Sequence, residues 1–507
     1  MSVLNSFIAW FMKKRIHQIE LFMKYPHEVQ DEVRRKLLYS ARNTIWGQQF
    51  GYADIRTADE YRQRVPVSTY EELQPWIDRI MRGEQYVLWS SEVKWFAKSS
   101  GTTNDRSKFI PVSQEALDDC HFKGGKDLLS IYCNLFPDTE IFSGKGLTIG
   151  GSHQISQLND ESYYGDLSAV LMQNLPFWVD FIRTPELSVA LMDNWEKKVE
   201  KIGLETIGQD VTNISGVPTW TIILFKWILE HTGKKNIHEV WPNLEVYFHG
   251  GVSFTPYRDQ FAELAPDSRM NYLETYNASE GFFGIADQVN SPEMLLMLDY
   301  GVYFEFVEPD KLGGPFPETK TLEEVKLNTN YAVIISTNAG LWRYLIGDTI
   351  RFTSLTPFRF RITGRTKHYI NTFGEEVIID NAEFALSEAC HATGATIRDY
   401  TAGPVFLTTS DKGGHEWLIE FEHQPDDPER FVTILDESIR RVNSDYDAKR
   451  HKDLALLRPK VRAVPQQTFY EWMRMRGKLG GQNKVPRLSN DRTILDALLK
   501  FMSEKEA

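Results

Sequence analysis

Cysteine is scarce: Cys120, Cys133 and Cys390 are the only three in 507 residues. An odd, widely spaced set without a CxxC pair supplies neither a disulfide framework nor a zinc site. It suits a reducing cytosol. No apolar run approaches the ~20 residues needed to span a bilayer. The apolar stretch from Ser6 to Met12 precedes its basic residues, Lys13, Lys14 and Arg15. That is the reverse of a signal peptide, and it reads as an amphipathic helix packed on the body; a membrane-surface helix is the competing reading. Positive charge is also short. With 57 Lys and Arg against 70 Asp and Glu, the net charge is −13. A general nucleic-acid binder needs a basic face to neutralise phosphates, so the net charge argues against that class; it does not exclude a single anionic ligand in a local basic pocket. The G-x-x-x-x-G-K-[ST] loop of Walker-type nucleotide binders is missing, as are internal repeats and low-complexity tracts.

What remains is ordinary globular material. Hydrophobic residues make up 42% and charged residues 25%, enough for a large core in two to four domains. Helical spacing predicts a helix over Glu28–Gln48, and Ser68 to Glu71 offers an S-x-x-E capping box for another that ends near Met81. A strand is expected at Val93–Ala97, and Ser113 suits the N-cap of a long helix reaching Leu135. Helices are expected again at Pro185–Ile202 and Thr219–His231, with strands at Gly146–Ile149, Leu244–Phe248 and Tyr272–Tyr276. Strands dominate Gly301 to Phe352. This interleaving indicates an α/β body, a fold class that binds ligands in loops at strand ends. Beyond Phe358–Ile362, the polar link Arg365-Thr366-Lys367 leads into a separate α+β pattern of about 140 residues, a normal domain size. It holds helices at Glu383–Ala392 and Pro428–Asn443 and strands at Pro404–Thr409 and Glu416–Phe421.

Five short segments can carry chemistry. Ser99-Ser100-Gly101-Thr102-Thr103, running on to Lys108, brings four hydroxyls, a flexible glycine and a cation to the end of a strand. Such a loop can grip phosphate oxygens; a Ser/Thr-rich surface turn is the plain alternative. In Tyr276-Asn277-Ala278-Ser279-Glu280-Gly281 a tyrosine can stack on a base and a carboxylate can hold Mg²⁺ beside phosphates; a strand-end tyrosine can also simply pack. Arg343 to Asp348 ends in Gly347-Asp348, where an aspartate can accept hydrogen bonds from ribose hydroxyls or merely make a turn. Gly364-Arg365, with Gly374-Glu375 downstream, reads as a linker. Trp472 to Leu488 holds Arg474, Arg476, Lys478, Lys484 and Arg487 without an acid, a local reversal of charge that suits an anion or marks a solvated basic loop.

Taken singly these segments are weak. In their order and spacing they resemble the adenylate-forming superfamily: a Ser/Thr/Gly phosphate loop, an aromatic-x-x-[ST]-Glu element, a Gly-Asp ribose element, a Gly-Arg hinge and a C-terminal lysine. The details are similar to the acyl acid amido synthetases of the auxin-responsive (Gretchen Hagen) family, in a bacterial-type version. The resemblance rests on SSGTTNDRSKFIPVS at 99–113, FHGGVSFTPY at 248–257, YNASEG at 276–281, RYLIGD at 343–348 and QNKVPR at 482–487. It spans essentially the whole chain. Two departures stand out. Asn104 replaces the superfamily's usual second glycine, and Leu345 stands where plant members usually have arginine.

The resemblance implies a large N-terminal α/β domain with mixed sheets over residues 1–363, a hinge at 364–367 and a smaller mobile α+β domain over 368–507. It implies ATP as cosubstrate, Mg²⁺, and a cytoplasmic enzyme that activates a small carboxylic acid as an acyl-adenylate and transfers it to an amino acid or other amine. Carried over residue by residue, Ser99, Ser100, Gly101, Thr102, Thr103 and Lys108 would hold the β- and γ-phosphates. Glu280 would bind Mg²⁺, Tyr276 would pack on the adenine with Gly250 and Gly251 near its other face, and Ser279 would belong to the cofactor-binding set. Asp348, helped by Arg365, would bind ribose. Lys484 would bring catalytic charge to the α-phosphate and carboxylate, with Lys478 as the alternate. His121, Phe122, His153 and Trp178 are candidates for the acyl pocket. An acyl-CoA ligase with the same first step, and a non-catalytic nucleotide- or acyl-acid-binding module, are the competing functions.

Overall fold

The structure is a computed structural model that describes the whole chain except residues 1–9, 11, 100–107, 151–154, 160, 176–178, 180, 193–194, 252–253, 255–256, 267–268, 290, 367–368, 371–374, 376, 406–412, 444–445, 448–449, 451–455, 478–484, 490 and 507. The described residues form two compact units. The first is built from residues 1–346 and 351–361, the second from 347–350 and 362 onwards.

The first unit begins with helices α1 (Ile16–Lys24), α2 (Pro26–Ala41), α3 (Ile45–Gln49), α4 (Ala58–Arg64) and α5 (Tyr70–Met81). The single helix expected over Glu28–Gln48 is therefore two. The chain turns after Ala41, where the Thr44 hydroxyl donates to the Ala41 carbonyl and accepts from Gly47 N at 2.9 Å, capping α3. The capping box of α5 lies one residue later than Ser68–Glu71. Thr69 is the N-cap, and the Glu72 carboxylate accepts from the Thr69 backbone at 2.7 Å. Ser68 is instead committed to a backbone bridge with Tyr344.

Strands β1 (Trp95–Ser99) and β2 (Lys108–Val112) pair antiparallel, with Ser99 opposite Lys108. Ser113 caps the next helical stretch as expected, accepting from Ala116 N at 3.0 Å. The stretch is not uniform. A π-helical segment, Leu117–Phe122, leads into α6 (Lys123–Leu135). β3 (Lys145–Ile149), β4 (Ser156–Gln157), β5 (Tyr163–Gly165), β6 (Arg183–Thr184), α7 (Trp195–Thr206), β7 (Val211–Gly216), α8 (Pro218–Thr232), β8 (Val246–Gly250), α9 (Arg258–Leu264), β9 (Asn271–Ala278), β10 (Gly281–Ile285), β11 (Met294–Leu296), β12 (Val302–Val307), β13 (Asn330–Thr337), β14 (Tyr344–Leu355) and β15 (Phe358–Arg365) follow. The helix expected over Pro185–Ile202 is again broken, with a short turn at Leu187–Ala190 before α7.

Among the described residues eleven strands make one sheet in the order β12-β13-β14-β15-β11-β10-β9-β8-β7-β3-β6. The β6-β3-β7-β8-β9 half is parallel, as helical crossovers require. From β9 onward the β9–β10, β10–β11 and β11–β15 pairs are antiparallel. That half curls on itself: Phe283 of β10 meets Phe304 of β12 with ring centroids 6.0 Å apart.

The second unit adds α10 (Ile379–Thr393), β16 (Thr396–Val405), β17 (Gly414–His423), α11 (Pro428–Val442), β18 (Lys460–Val464), α12 (Thr468–Met475) and α13 (Thr493–Glu506). β17 is central, antiparallel to β16 and parallel to β18. Its residues alternate faces, as strand geometry requires. Trp417, Ile419 and Phe421 pack with α10 and α11, and Leu418 packs with α12 and α13.

One buried ion pair braces the first unit. Arg343, fully buried, grips Glu305 of β12 through Nε and Nη2, both at 2.9 Å. Its Nη1 donates to the carbonyls of Arg62 (2.8 Å) and Val65 (2.6 Å). Removing one partner strands a buried charge and costs about 3–5 kcal/mol. We therefore expect Arg343→Met to lower stability by about that amount in urea unfolding, and the double variant Arg343→Met/Glu305→Met to recover most of the loss.

Candidate nucleotide-binding site

Chemistry-bearing residues gather where the large sheet changes from parallel to antiparallel. β9 has a parallel partner on one side and an antiparallel one on the other, a break in strand order of the kind beside which α/β sheets bind ligands. Gly250 ends β8 with Gly251 just after it, and Ser279-Glu280 follows β9 as the two-residue turn of the β9–β10 hairpin. The parallel register Gly250–Thr275 places these ends at one edge. A Cβ on Gly250 would lie 2.5 Å from the Thr275 carbonyl oxygen, so the approach of β9 requires glycine there. Gly251 follows at φ +78°, a conformation other residues rarely adopt.

The Glu280 carboxylate sits at the hairpin apex, half-buried, and accepts a hydrogen bond from the Tyr344 hydroxyl at 3.4 Å. Ser279 beside it is buried. Tyr276 is buried too, its ring edge-on to Phe283 at 5.0 Å and to Phe360 at 6.1 Å. On the first strand pair, Lys108 lies with its ammonium 5.5 Å from the Tyr70 ring centre. Ser99 and Lys108 therefore bracket the hydroxyl-rich loop. Ser100, Gly101, Thr102 and Thr103 lie outside the described residues.

In the second unit Arg365 Nε donates to Asp348 Oδ1 at 2.6 Å, and Asp348 is buried. The turn before it is set by Gly347 at φ +90°, whose carbonyl accepts from Thr366 N at 2.8 Å. Lys478, Lys484, Lys367 and Gly374 lie outside the described residues, as do the acyl-pocket candidates His153 and Trp178. His121 and Phe122 fall in the π-helical segment. Its neighbour Cys120 accepts from Phe282 N at 3.2 Å, tying that segment to β10. Burial pushes the Cys120 thiol up to about 12, so it is a packed thiol and not a nucleophile. Burial pulls His121 down to about 4, which leaves it neutral at physiological pH.

Two residues carry more than the sequence signalled. Tyr344, inside RYLIGD, holds Glu280; nothing in a linear motif announces a partner 64 positions away. His249, inside FHGGVSFTPY, is buried and stacked on Phe254 at 4.3 Å. Burial, with the nearby Arg258 charge, lowers its pKa to about 3.

A large, strand-rich α/β first unit and a smaller α+β second unit make up a fold that solved structures of other proteins share. The chain superposes on 2-hydroxyisobutyryl-CoA ligase in its postadenylation state with a TM-score of 0.58, 13% identity, and coverage of 94% of this chain and 91% of that one. It superposes on the GH3.15 acyl acid amido synthetase with a TM-score of 0.78 at 18% identity, covering 96% of both chains. In sequence, the GH3 family N-terminal domain matches residues 15–270, the central domain 295–365 and the C-terminal domain 380–493. The protein belongs to the GH3 family. Indole-3-acetic acid-amido synthetase GH3.3 of Arabidopsis thaliana is 24% identical across 96% of this chain and 93% of its own length.

His249 and His121 set an acid limit. Both are held neutral in the fold, while an unfolded histidine takes a proton below about 6.5. The unfolded state then binds more protons, so stability falls as pH drops from about 6.5 towards 4, by a few kcal/mol for shifts of this size. His249→Gln is expected to flatten that slope in denaturation midpoints measured from pH 7 to pH 4; an unchanged slope would contradict it.

Proposed function

We propose that this chain is an ATP-dependent acyl acid–amido synthetase. It activates a carboxylic acid as an acyl-adenylate and transfers the acyl group to an amine, with an amino acid as the favoured acceptor, releasing AMP and pyrophosphate. The observation that carries the reading is the match of all three GH3 family domains, in order, over residues 15–493. The relative GH3.3 is named for amide synthesis on indole-3-acetic acid; that acid is not transferred to this chain.

The chemistry follows from the leaving-group problem. A carboxylate cannot acylate an amine directly because oxide would have to depart. Its oxygen attacks the α-phosphorus of ATP, the bond to pyrophosphate breaks, and a mixed anhydride with AMP forms. The amine nitrogen then attacks the carbonyl carbon, AMP leaves and the nitrogen gives up a proton. Two anions must meet in the first step, so positioned positive charge supplies most of the catalysis.

On this reading the loop from Ser99 through Ser100, Gly101, Thr102 and Thr103 to Lys108 grips the departing pyrophosphate. Tyr276, Ser279, Gly250 and Gly251 frame the adenine, and Asp348, oriented by Arg365, takes the ribose hydroxyls. Mg²⁺, when bound, neutralises phosphate charge. Among the described residues no cluster of three or more His, Cys, Asp or Glu could cage a metal. A lone carboxylate, Glu280, fits an ion that takes most of its ligands from water and phosphates. Lys484 brings charge to the reacting α-phosphate and carboxylate, with Lys478 as the alternate, and the segment after the 364–367 hinge is a mobile domain that carries it. Three cysteines that form no disulfide, and no helix among the described residues apolar and long enough to cross a membrane, support a cytoplasmic setting.

Pyrophosphate–ATP exchange across a panel of carboxylic acids tests the first step; no exchange with any acid, in protein that binds ATP, would leave only a binding module. Supplying amino acids or coenzyme A separately then identifies the acceptor, and thioester as the sole product would replace amide synthesis with CoA ligation. Lys484→Ala is expected to cut adenylation by about 10²–10³-fold while sparing amidation of a supplied acyl-adenylate. Equal loss in both steps would count against a lysine that serves only the first.

A further inference from the structure

The first 42 residues carry the opposite sign of charge to the rest of the chain. They hold eight Lys and Arg against four Asp and Glu, a net +4 in a protein of −13. Such asymmetry points to an anionic partner for the basic part. The GH3 family N-terminal domain begins at residue 15, so Trp10, Lys13 and Lys14 precede it. Three of the four acids have a neighbour on their own helix. Asp31 is held by Arg34 and by Arg35 at 3.0 Å, Glu32 by Lys36 at 2.6 Å, and Glu20 sits 3.4 Å from a His17 ring nitrogen. Three of the cations lie over aromatic rings: Lys14 over Trp10 at 4.1 Å, Lys24 over Tyr25 at 5.2 Å and Arg42 over Tyr39 at 3.6 Å from the ring centre. All three rings are exposed, by 56%, 41% and 66%.

Helix α1 arranges most of this surface. Its inner side is fixed to the body. Ile19 and Phe22 are buried, and Arg15, just before the helix, is buried with Asp127 at 3.0 Å and Asp299 at 2.7 Å. Its outer side is a stripe at helical spacing, Lys14, His17, Leu21 and Lys24, all exposed, with Trp10 four positions earlier. A single exposed Leu or Trp needs no explanation. Interleaved with lysines on one stripe, they make the pattern of a helix that rests on a lipid surface. Basic side chains meet phosphates, and Trp, Tyr and Leu meet the boundary between headgroups and acyl chains. A ring with a cation over it suits that boundary, because it offers an apolar body and a charge together. Single-stranded nucleic acid also takes cations and rings, but along a basic groove. Here the rest of the chain is strongly acidic, and Leu21, in the middle of the stripe, gives a base no face to stack on.

We propose that the outer face of α1, with Trp10 and Lys14 before it and Tyr25 after it, docks on the surface of an anionic phospholipid bilayer. The contact is peripheral. The buried inner side and the Arg15 ion pairs keep the helix on the body, so only Trp10, Leu21 and Tyr25 reach the headgroup boundary while the lysines hold phosphates. The docking face uses none of the residues proposed for catalysis and does not depend on that reading.

The test is co-sedimentation of the full chain with vesicles of phosphatidylcholine alone or with about 30% phosphatidylglycerol, beside fluorescence anisotropy with a labelled single-stranded oligonucleotide. We expect binding to the anionic vesicles at least about tenfold tighter than to the neutral ones, and its loss in about 0.5 M salt. Lys14→Gln/Lys24→Gln and, separately, Trp10→Ser/Leu21→Ser are each expected to weaken it by about tenfold, with the urea unfolding midpoint unchanged. If one variant does not fold, the other decides alone. No binding to anionic vesicles, equal binding to neutral ones, binding that survives the salt, or binding unchanged in either folded variant overturns the proposal. Tighter binding of the oligonucleotide than of the vesicles also overturns it and assigns the face to nucleic acid.

Discussion

The clamp of Arg343 on Glu305 fixes the start of β14, and much of the candidate site follows from it. Arg343 occupies φ +40°, an uncommon conformation for a residue with a side chain, and its whole guanidinium is hydrogen-bonded. Its backbone is fixed as well: Ser68 N donates to the Arg343 carbonyl at 3.0 Å, and Leu345 N donates to the Ser68 carbonyl at 2.9 Å. The strand thus leaves a rigid point with its direction set. Tyr344, the next residue, is buried and delivers its hydroxyl to Glu280. A buried ion pair is weak evidence for stability, because desolvation offsets much of its attraction. Its clearer contribution here is specificity, since few other placements of Arg343 would satisfy five donors at once.

The position of the site has a second cause, in the change of sheet type. Parallel strands need crossover helices, and α7 and α8 supply them up to β8. After β9 the connection shortens to the two-residue turn Ser279-Glu280, and the sheet becomes antiparallel and curls. An edge with a glycine pair on one strand and a carboxylate-bearing hairpin on the next arises only at this junction. Tyr276 follows the same logic. Within β9 its ring is held between Phe283 and Phe360, so its position is set by core packing.

Much of this was legible in the sequence wherever the signal is local. The Ser113 cap, the strand ends at Gly250 and Ser279, the Pro428–Val442 helix and the α+β character of the second unit each rest on neighbours within a few residues. Non-local determinants were not legible. The break after Ala41 depends on Thr44 and Gly47 folding back on a carbonyl in a stretch whose apolar spacing continues unbroken. The cap of α5 moved from Ser68 to Thr69 because Ser68 pairs with β14, some 270 residues away in sequence. The π-helical turn at Leu117–Phe122 leaves no pattern of its own; it accompanies the contact of Cys120 with β10. Glu305 is one more acid in a strand until Arg343 is placed beside it.

The RYLIGD segment shows why a motif can be continuous when its functions are not. Arg343 belongs to the core and Tyr344 to the support of Glu280, while Gly347 and Asp348 belong to the second compact unit. One strand serves both units, so residues with unrelated tasks stay adjacent in sequence. Leu345 fits this division. It packs against the apolar cluster of Val67, Val307, Ala332 and Ile334, where an arginine would have to carry its charge past buried aliphatic groups to reach solvent. The departure at Leu345 is therefore accommodated by local packing and leaves untouched the atoms that hold Glu280 and Asp348, so it does not stand against the role proposed for the segment.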